Sequence, residues 1–167
     1  MKYAFLGPES TGKTTTAIEI VRRRHGVLVP EVARDYLVEK GLNYSYEDIL
    51  EIAKLQFTKE IEISDAHPDE IIICDTELIT MEIWLEFYGY EVPNWIPTFI
   101  HQASYESYFL FNTDIVWVSD GLRNNQNDRE VLLNLFKRKL NYYNKNWILI
   151  SGQGDERVEN VLTYIEA

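Results

Sequence analysis

The segment from residue 7 to residue 14 limits what this chain can fold into more than any other feature. It reads Gly-Pro-Glu-Ser-Thr-Gly-Lys-Thr and matches the pattern G-x-x-x-x-G-K-[ST] at every fixed position. An apolar run at residues 2–6 precedes it, and an amphipathic stretch at 14–24 follows it. This context predicts a strand, a phosphate-binding loop and a helix in succession, rather than a glycine-rich turn that binds nothing.

Each fixed position of the loop has a chemical task in binding ATP. Gly7 and Gly12 permit backbone angles that other residues resist, so consecutive N–H groups can point inward at phosphate. We expect Lys13 to neutralise charge on the β and γ phosphates, and the hydroxyl of Thr14 to ligate Mg²⁺. The complete set of predicted ATP-binding residues in this segment is Gly7, Glu9, Ser10, Thr11, Gly12, Lys13, Thr14 and Thr15.

Short apolar runs alternate with amphipathic stretches along the whole chain. We expect strands at residues 2–6, 27–29, 70–74, 114–119 and 147–150. We expect helices at residues 14–24, 32–39, 45–64, 77–88, 98–107, 128–141 and 155–165. Strands separated by helices indicate crossover connections, and therefore an α/β fold with a parallel sheet. The length of 167 residues favours one domain over residues 1–167.

Carboxylates follow the second and third predicted strands, where parallel sheets place their ligands. Asp75 occupies the position at which a carboxylate holds Mg²⁺ directly or through water. Glu31 would lie beside the γ-phosphate, where it could deprotonate an acceptor hydroxyl or hydrogen-bond it into line. Either carboxylate could be the general base. Arg34 could bind substrate, orient Glu31 or stabilise charge, but a surface ion pair with Glu31 is the simpler alternative.

A polar loop at about residues 120–129 carries two arginines in an otherwise acidic chain. We predict that it closes as a lid over ATP, with Arg123 and Arg129 stabilising charge on the transferring phosphoryl group. The alternative is an ordinary connector with solvated arginines. After the last strand, Gly152 fits a close approach of the backbone to adenine.

Composition excludes several other classes of function. The formal net charge of −11 repels a phosphate backbone, so we expect no nucleic-acid partner. No apolar run approaches the roughly 20 residues of a membrane helix, and the N-terminal run is too short for a signal peptide. We therefore expect a cytoplasmic protein that acts on a small molecule. The single cysteine, Cys74, is expected to be a buried thiol. The sequence does not decide whether the chain forms a homo-oligomer.

Four segments resemble the ribosylnicotinamide kinase domain of bacterial NadR-type proteins. They are residues 7–14, 30–36, 75–77 and 117–123, in the family's order. The first is common to P-loop proteins, whereas Glu-x-x-Arg-Asp-Tyr and Asp-Gly-Leu-Arg are more specific. The resemblance implies a three-layer P-loop NTPase of the nucleoside and nucleotide kinase kind, with helices on both faces of a central five-stranded parallel sheet.

The resemblance also implies an activity, the phosphorylation of the 5′-hydroxyl of nicotinamide riboside by ATP and Mg²⁺. Full-length NadR-type proteins carry an adenylyltransferase domain, which we do not expect upstream of a strand that starts at Lys2. Aromatic side chains could stack on a cationic ring, although Trp84 and Tyr88 also have the spacing of a buried helix face. The aromatic candidates for substrate contact are Tyr36, Trp84, Tyr88, Tyr105 and Tyr108.

Two other functions fit the same motifs. One is a different nucleoside or nucleotide kinase with the same mechanism. The other is an ATPase switch that hydrolyses ATP without phosphorylating an acceptor. Against the switch, the chain is short for the helical lid domain that such machines add.

Overall fold

The computed structural model describes residues 1–41, 45–118 and 126–165 of the chain. In these residues one sheet contains β1 (Lys2–Leu6), β2 (Val27–Val29), β3 (Ile72–Asp75), β4 (Ser107–Phe111) and β5 (Trp147–Ile150). The strand order is β2-β3-β1-β4-β5, and every neighbouring pair is parallel. The predicted five-stranded parallel sheet is therefore confirmed.

Helices cover both faces of this sheet. They are α1 (Lys13–Arg24), α2 (Val32–Lys40), α3 (Tyr46–Ala66), α4 (Leu78–Phe87), α5 (Trp95–Gln102), α6 (Arg129–Tyr142) and α7 (Asp155–Ile165), with a short 3₁₀ helix at Gln126–Asp128. Side chains alternate across β1: Phe5 packs in one core with residues of α1 and α7, while Leu6 packs in the other with residues of α3, α4 and α6. The three-layer α/β fold is confirmed by this arrangement.

The prediction of the fourth strand was wrong. We expected a strand at 114–119 and a helix at 98–107, but β4 is Ser107–Phe111 and α5 ends at Gln102. Every residue of β4 is buried, whereas Val116 and Val118 are 83% and 64% exposed. The run Ile-Val-Trp-Val at 115–118 has strand propensity but is largely exposed in the structure, whereas Ser107–Phe111 is buried, so burial decided which segment forms the strand.

Helix ends follow local capping chemistry. The predicted start of α3 is confirmed, because Ser45 Oγ accepts from the Asp48 backbone N–H while Asp48 Oδ2 accepts from the Ser45 N–H. The C-cap of α1 is His25, at φ 52°, rather than the glycine that follows it. Gly26 allows the chain to pass close to Ile71, because a Cβ at this position would lie 2.5 Å from the Ile71 carbonyl oxygen. No helix in the described part of the chain is both long and apolar enough to cross a membrane.

Candidate active site

The loop between β1 and α1 has the backbone that its glycines predict. Gly7 adopts φ 134° and Gly12 adopts φ 80°. A Cβ on Gly7 would lie 2.7 Å from the carbonyl oxygen of Phe111, so the end of β4 packs directly on this residue. Ser10 also has a positive φ, of 55°. The loop therefore depends on three left-handed or unusual backbone positions within six residues.

A cavity of about 340 Å³ opens above this loop. Lys13 lies at its wall, with Nζ donating 2.9 Å hydrogen bonds to the carbonyl oxygens of Gly7 and Pro8. The ammonium group is thus held over the loop, where phosphate oxygens would lie. The residues that line the cavity are Glu9, Ser10, Thr11, Gly12, Lys13, Thr14, Thr15, Glu31, Ile115, Val116 and Val118.

Glu31 brings the second strand into the same cavity. It is the N-cap of α2, directly after the Pro30 that follows β2, and it also lines an adjoining cavity of about 20 Å³ with Gly7 and Lys13. Two carboxyl ends of parallel strands therefore meet here, as the sequence predicted. The further residues of the adjoining cavity are Pro8, Glu9, Thr76, Thr80, Trp84, Leu132 and Phe136.

Arg34 and Tyr36 lie on α2 but outside the lining of these two cavities. The Tyr36 hydroxyl donates a 2.8 Å hydrogen bond to Asp48 Oδ1, which ties α2 to α3. That hydrogen bond also raises the pKa of Tyr36. The structure thus shows Tyr36 in a hydrogen bond between two helices, and substrate binding by Arg34 or Tyr36 stays a prediction.

The turn after β3 is buried and strained. Asp75, the last residue of β3, is fully buried and lies opposite Phe5 of β1. Thr76 adopts φ 81°, which is rare for a β-branched residue. Glu77 caps α4, because its carboxylate accepts from the Ile79 backbone N–H at 2.9 Å. Burial raises the pKa of Glu77 to about 8.

Oxygen donors are the ligands that Mg²⁺ prefers, and the predicted pair supplies them. The Thr14 hydroxyl belongs to the phosphate cavity, and the Asp75 carboxylate ends the strand beside β1. Among the residues that the structure describes, no group of three or more His, Cys, Asp and Glu could hold a metal alone. Mg²⁺ needs no such group, since one or two protein ligands and the nucleotide phosphates suffice. The donor types therefore suit Mg²⁺ bound together with a nucleotide, and Mg²⁺ binding by Thr14 and Asp75 stays a prediction.

The segment after β4 lies against the phosphate loop. Arg129, the first residue of α6, donates to the carbonyl oxygens of Ile115 at 3.0 Å and Ser10 at 3.1 Å. Ser10 Oγ accepts from the Val118 N–H at 2.9 Å. Arg129 is thus close to the loop but bonded to backbone, and its charge-stabilising role stays a prediction. Residues 120–125 of the predicted lid, which include Arg123, lie outside the described residues.

The sequence did not predict a role for Arg157, which is hydrogen-bonded to the backbone of the phosphate loop. It is 2% exposed, and it donates to the carbonyl oxygens of Thr11 at 2.5 Å and Gly152 at 2.8 Å. It also forms an ion pair with Asp114. The available signal was its register in α7: it lies four residues before Val161, on the face that α7 buries. A charge on an apolar helix face needs buried partners.

A second cavity of about 520 Å³ adjoins the first and shares Gly12, Thr15 and Ile115 with it. Its far wall comes from the turn after β5 through Gly154 and from α7. Gly152, the residue predicted there, is absent from this lining. Its φ is 102° and its N–H donates to Asp114 Oδ2 at 2.8 Å, so its observed contribution is to the conformation of the turn after β5.

Of the five aromatic residues predicted to contact substrate, Trp84 lines the small cavity next to Glu31, and none of the five lines the two cavities that share Gly12. Tyr105 donates a 2.6 Å hydrogen bond to Glu60. The ring of Tyr108 packs in the core between the sheet and helices α3, α4 and α6. The hydroxyl groups of Thr76 and Thr80, which line the same small cavity as Trp84, are buried without a hydrogen-bond partner in the described residues.

Comparison with known proteins gives a family and a fold. A family model described as an AAA domain matches residues 2–157. No curated protein matches the sequence. Among solved structures, a NadR protein in complex with NR matches at TM-score 0.82 and 15% identity, covering 99% of this chain and 50% of that one. The chain thus spans about half the length of the NadR structure.

Two kinases share the fold over nearly their whole lengths. Deoxyadenosine kinase from M. mycoides with bound dATP matches at TM-score 0.62 and 18% identity, with 100% of both chains covered. Thymidylate kinase from Ehrlichia chaffeensis matches at TM-score 0.66 and 15% identity, covering 99% of this chain and 97% of that one. At such identities the likeness shows the fold alone.

Proposed function

The chain belongs to the AAA domain family of P-loop proteins, and from that premise we propose that it is a kinase that transfers the γ-phosphoryl group of ATP to a nucleoside hydroxyl. The observation that carries this proposal is one cavity lined by both the phosphate loop and Glu31. A carboxylate on that wall lies where it can accept a hydrogen bond from the hydroxyl of a second substrate.

The donor side is built from the two cavities that share Gly12, Thr15 and Ile115. The triphosphate occupies the cavity over the loop, with backbone N–H groups and Lys13 around it. The adenosine occupies the adjoining cavity between Ile115 and α7. Thr14 and Asp75 would hold Mg²⁺, which supplies charge neutralisation on the phosphates when bound.

The acceptor side starts at Glu31. Its carboxylate accepts a hydrogen bond from the attacking hydroxyl and holds it in line with the γ-phosphorus, and it can take the proton as the bond forms. Lys13 stabilises the negative charge on the transferring group, and Arg129 and Arg123 are the predicted additional cations. Trp84 lines the small cavity next to Glu31 and is the aromatic side chain that we propose stacks on the acceptor base, for which this cavity of about 20 Å³ must widen.

Nicotinamide riboside is the acceptor that the observations favour. The sequence segments resemble the NadR-type kinase domain, and the fold matches a NadR protein in complex with NR. A cationic nicotinamide ring suits a chain with a net charge of −11 and an aromatic side chain at the site. Since deoxyadenosine kinase and thymidylate kinase share the fold, a purine or pyrimidine nucleoside or nucleotide is the competing acceptor.

An ADP-release assay over a panel of acceptors tests this proposal. We expect kcat/KM for nicotinamide riboside to exceed that for thymidine, deoxyadenosine and thymidylate by ~10-fold or more, a difference typical of specific pocket contacts. Lys13→Ala serves as the control for contaminating kinases, because it should abolish turnover. Equal turnover of all four acceptors would refute the assignment of nicotinamide riboside.

The family match supports one alternative, an AAA-type ATPase switch. Such a protein would release ADP at the same rate with and without any acceptor, and ATP would change its assembly state. Size-exclusion chromatography with and without ATP, combined with mass spectrometry of the acceptor, distinguishes the two functions. Nucleotide-dependent assembly with no phosphorylated acceptor would favour the switch.

A further inference from the structure

Gln56 of α3 is a buried amide that contacts two segments of the proposed active site. The residue is only 1% exposed to solvent. Oε1 accepts from the Val32 backbone N–H at 2.9 Å, and Nε2 donates to the carbonyl oxygens of Pro30 at 3.3 Å and Thr76 at 3.4 Å. One side chain thereby joins the turn after β2 to the turn after β3.

The contacts on the first turn bracket Glu31. Pro30 and Val32 are its two chain neighbours, so the amide of Gln56 binds the backbone immediately before and after it. The Val32 N–H is one of the orphan donors at the start of α2. Glu31 makes no side-chain capping hydrogen bond to its own helix. Gln56 satisfies this N–H from another helix, and the Glu31 carboxylate lies at the phosphate cavity.

The contact on the second turn fixes a strained residue. Thr76 follows Asp75 and has φ 81°, a conformation that must be stabilised by its surroundings. Its N–H donates to the Phe5 carbonyl oxygen at 3.1 Å, and its carbonyl accepts from Gln56. The N–H and the carbonyl group of Thr76 are therefore both hydrogen-bonded, the first to β1 and the second to α3.

From these contacts we infer that Gln56 is a positioning residue for phosphoryl transfer. It holds the turn that carries Glu31 at a fixed distance from the turn that carries Asp75, so that the acceptor and the metal-bound phosphate meet in one geometry. This role rests on the proposed kinase function. It predicts that loss of the amide lowers the rate of transfer and leaves ATP binding nearly intact, since Gln56 lines neither nucleotide cavity.

The test compares Gln56→Met with Gln102→Met, the same substitution at an exposed position near the end of α5. In Gln56→Met we expect kcat to fall by ~10- to 100-fold, because small misplacements of reacting groups have effects of that size. The KM for ATP should stay within about two-fold. Gln102→Met should match the wild type in both parameters.

Gln56→Glu provides a second readout that a purely structural role would not produce. Its carboxylate can still accept from Val32, but it faces two carbonyl oxygens unless it is protonated. Its activity relative to the wild type at the same pH should therefore rise as the pH is lowered, because the neutral acid regains a donor. A ratio that is constant with pH would count against the inference. This variant also serves if Gln56→Met does not fold.

Hydrogen exchange separates this inference from the kinase proposal. The Val32 amide should exchange ~10-fold faster or more in Gln56→Met, and at the wild-type rate in Gln102→Met, whatever the acceptor is. If the wild type phosphorylates no acceptor, the kinase proposal fails and the exchange data still decide whether Gln56 holds the turn. Unchanged exchange, or a kcat within two-fold of an active wild type, would overturn the inference.

Discussion

Replacing Arg157 with methionine should destabilise the fold and weaken nucleotide binding together. The guanidinium group is buried and donates to the carbonyl oxygens of Thr11, Asn112 and Gly152, and it pairs with Asp114. The methionine side chain can occupy much of the same space, but it removes the guanidinium donor from three carbonyl oxygens and the cation from Asp114, which keeps its hydrogen bond from the Gly152 N–H. The substitution therefore measures the polar contacts more than the packing.

The structure sets the size of this effect. Hydrogen bonds to a charged group contribute about 1.5–3 kcal/mol each and are not additive, and breaking a buried ion pair costs about 3–5 kcal/mol. The Asp114 side chain is 32% exposed and can be hydrated after the change. We therefore expect the low end, about 3 kcal/mol, which for a chain of this size lowers Tm by roughly 6–12 °C.

Urea unfolding and thermal unfolding at neutral pH give this value directly. Arg138→Met, at an exposed position of α6, is the matched control and should stay within about 0.5 kcal/mol of the wild type. Asp114→Asn should cost less in the Arg157→Met background than alone, because the pair is then already broken. A loss of less than about 1 kcal/mol in Arg157→Met would show that these buried contacts contribute little.

Nucleotide affinity is the second half of this prediction. Arg157 holds the carbonyl oxygen of Thr11, which belongs to the phosphate loop, and it lines the cavity proposed for adenosine. Titration with a fluorescent ATP analogue should show a Kd raised by ~10-fold or more, as expected when a binding loop loses preorganisation. An unchanged Kd in a folded variant would mean that the loop keeps its shape without Arg157.

Three further predictions concern other parts of the fold. Gly7→Ala should abolish ATP binding in a titration, because its Cβ would lie 2.7 Å from the Phe111 carbonyl oxygen. Lys139→Met should cost about 2 kcal/mol in urea unfolding by leaving the buried Glu82 carboxylate without its cation, and adding Glu82→Gln should recover most of it. Hydrogen bonds from arginines of α1 lower the pKa of Glu19 to about 2. The stability that Glu19 confers over Glu19→Gln should therefore be present above pH ~4.5 and disappear as the pH falls towards 2.

Local sequence signals predicted the parts of the fold that depend on neighbouring residues. The glycines and Lys13 of the phosphate loop, with an apolar strand before them, fix the backbone between β1 and α1. The Ser45–Asp48 capping box marks the start of α3. These features need no knowledge of distant parts of the chain, and the structure confirms them.

Other parts depend on tertiary contacts that no local pattern carries. The run at 115–118 has the side chains of a strand, yet β4 formed from Ser107–Phe111 because that segment could be buried on both faces. Arg157 and Gln56 are ordinary helix residues in the sequence, and apart from Gly152 their partners lie 20 to 146 residues away. Their roles become visible only when the turns after β2, β3 and β5 are brought to one edge of the sheet.

The central claim is that Glu31 acts on an acceptor at the ATP site, and Glu31→Gln tests it most directly. The change keeps the size of the side chain and removes its charge and basicity. With saturating nicotinamide riboside, single-turnover transfer from γ-labelled ATP should slow by ~10²-fold or more while the Kd for ATP changes by less than about two-fold. Transfer at the wild-type rate would contradict the account, because Glu31 would then have no part in the reaction.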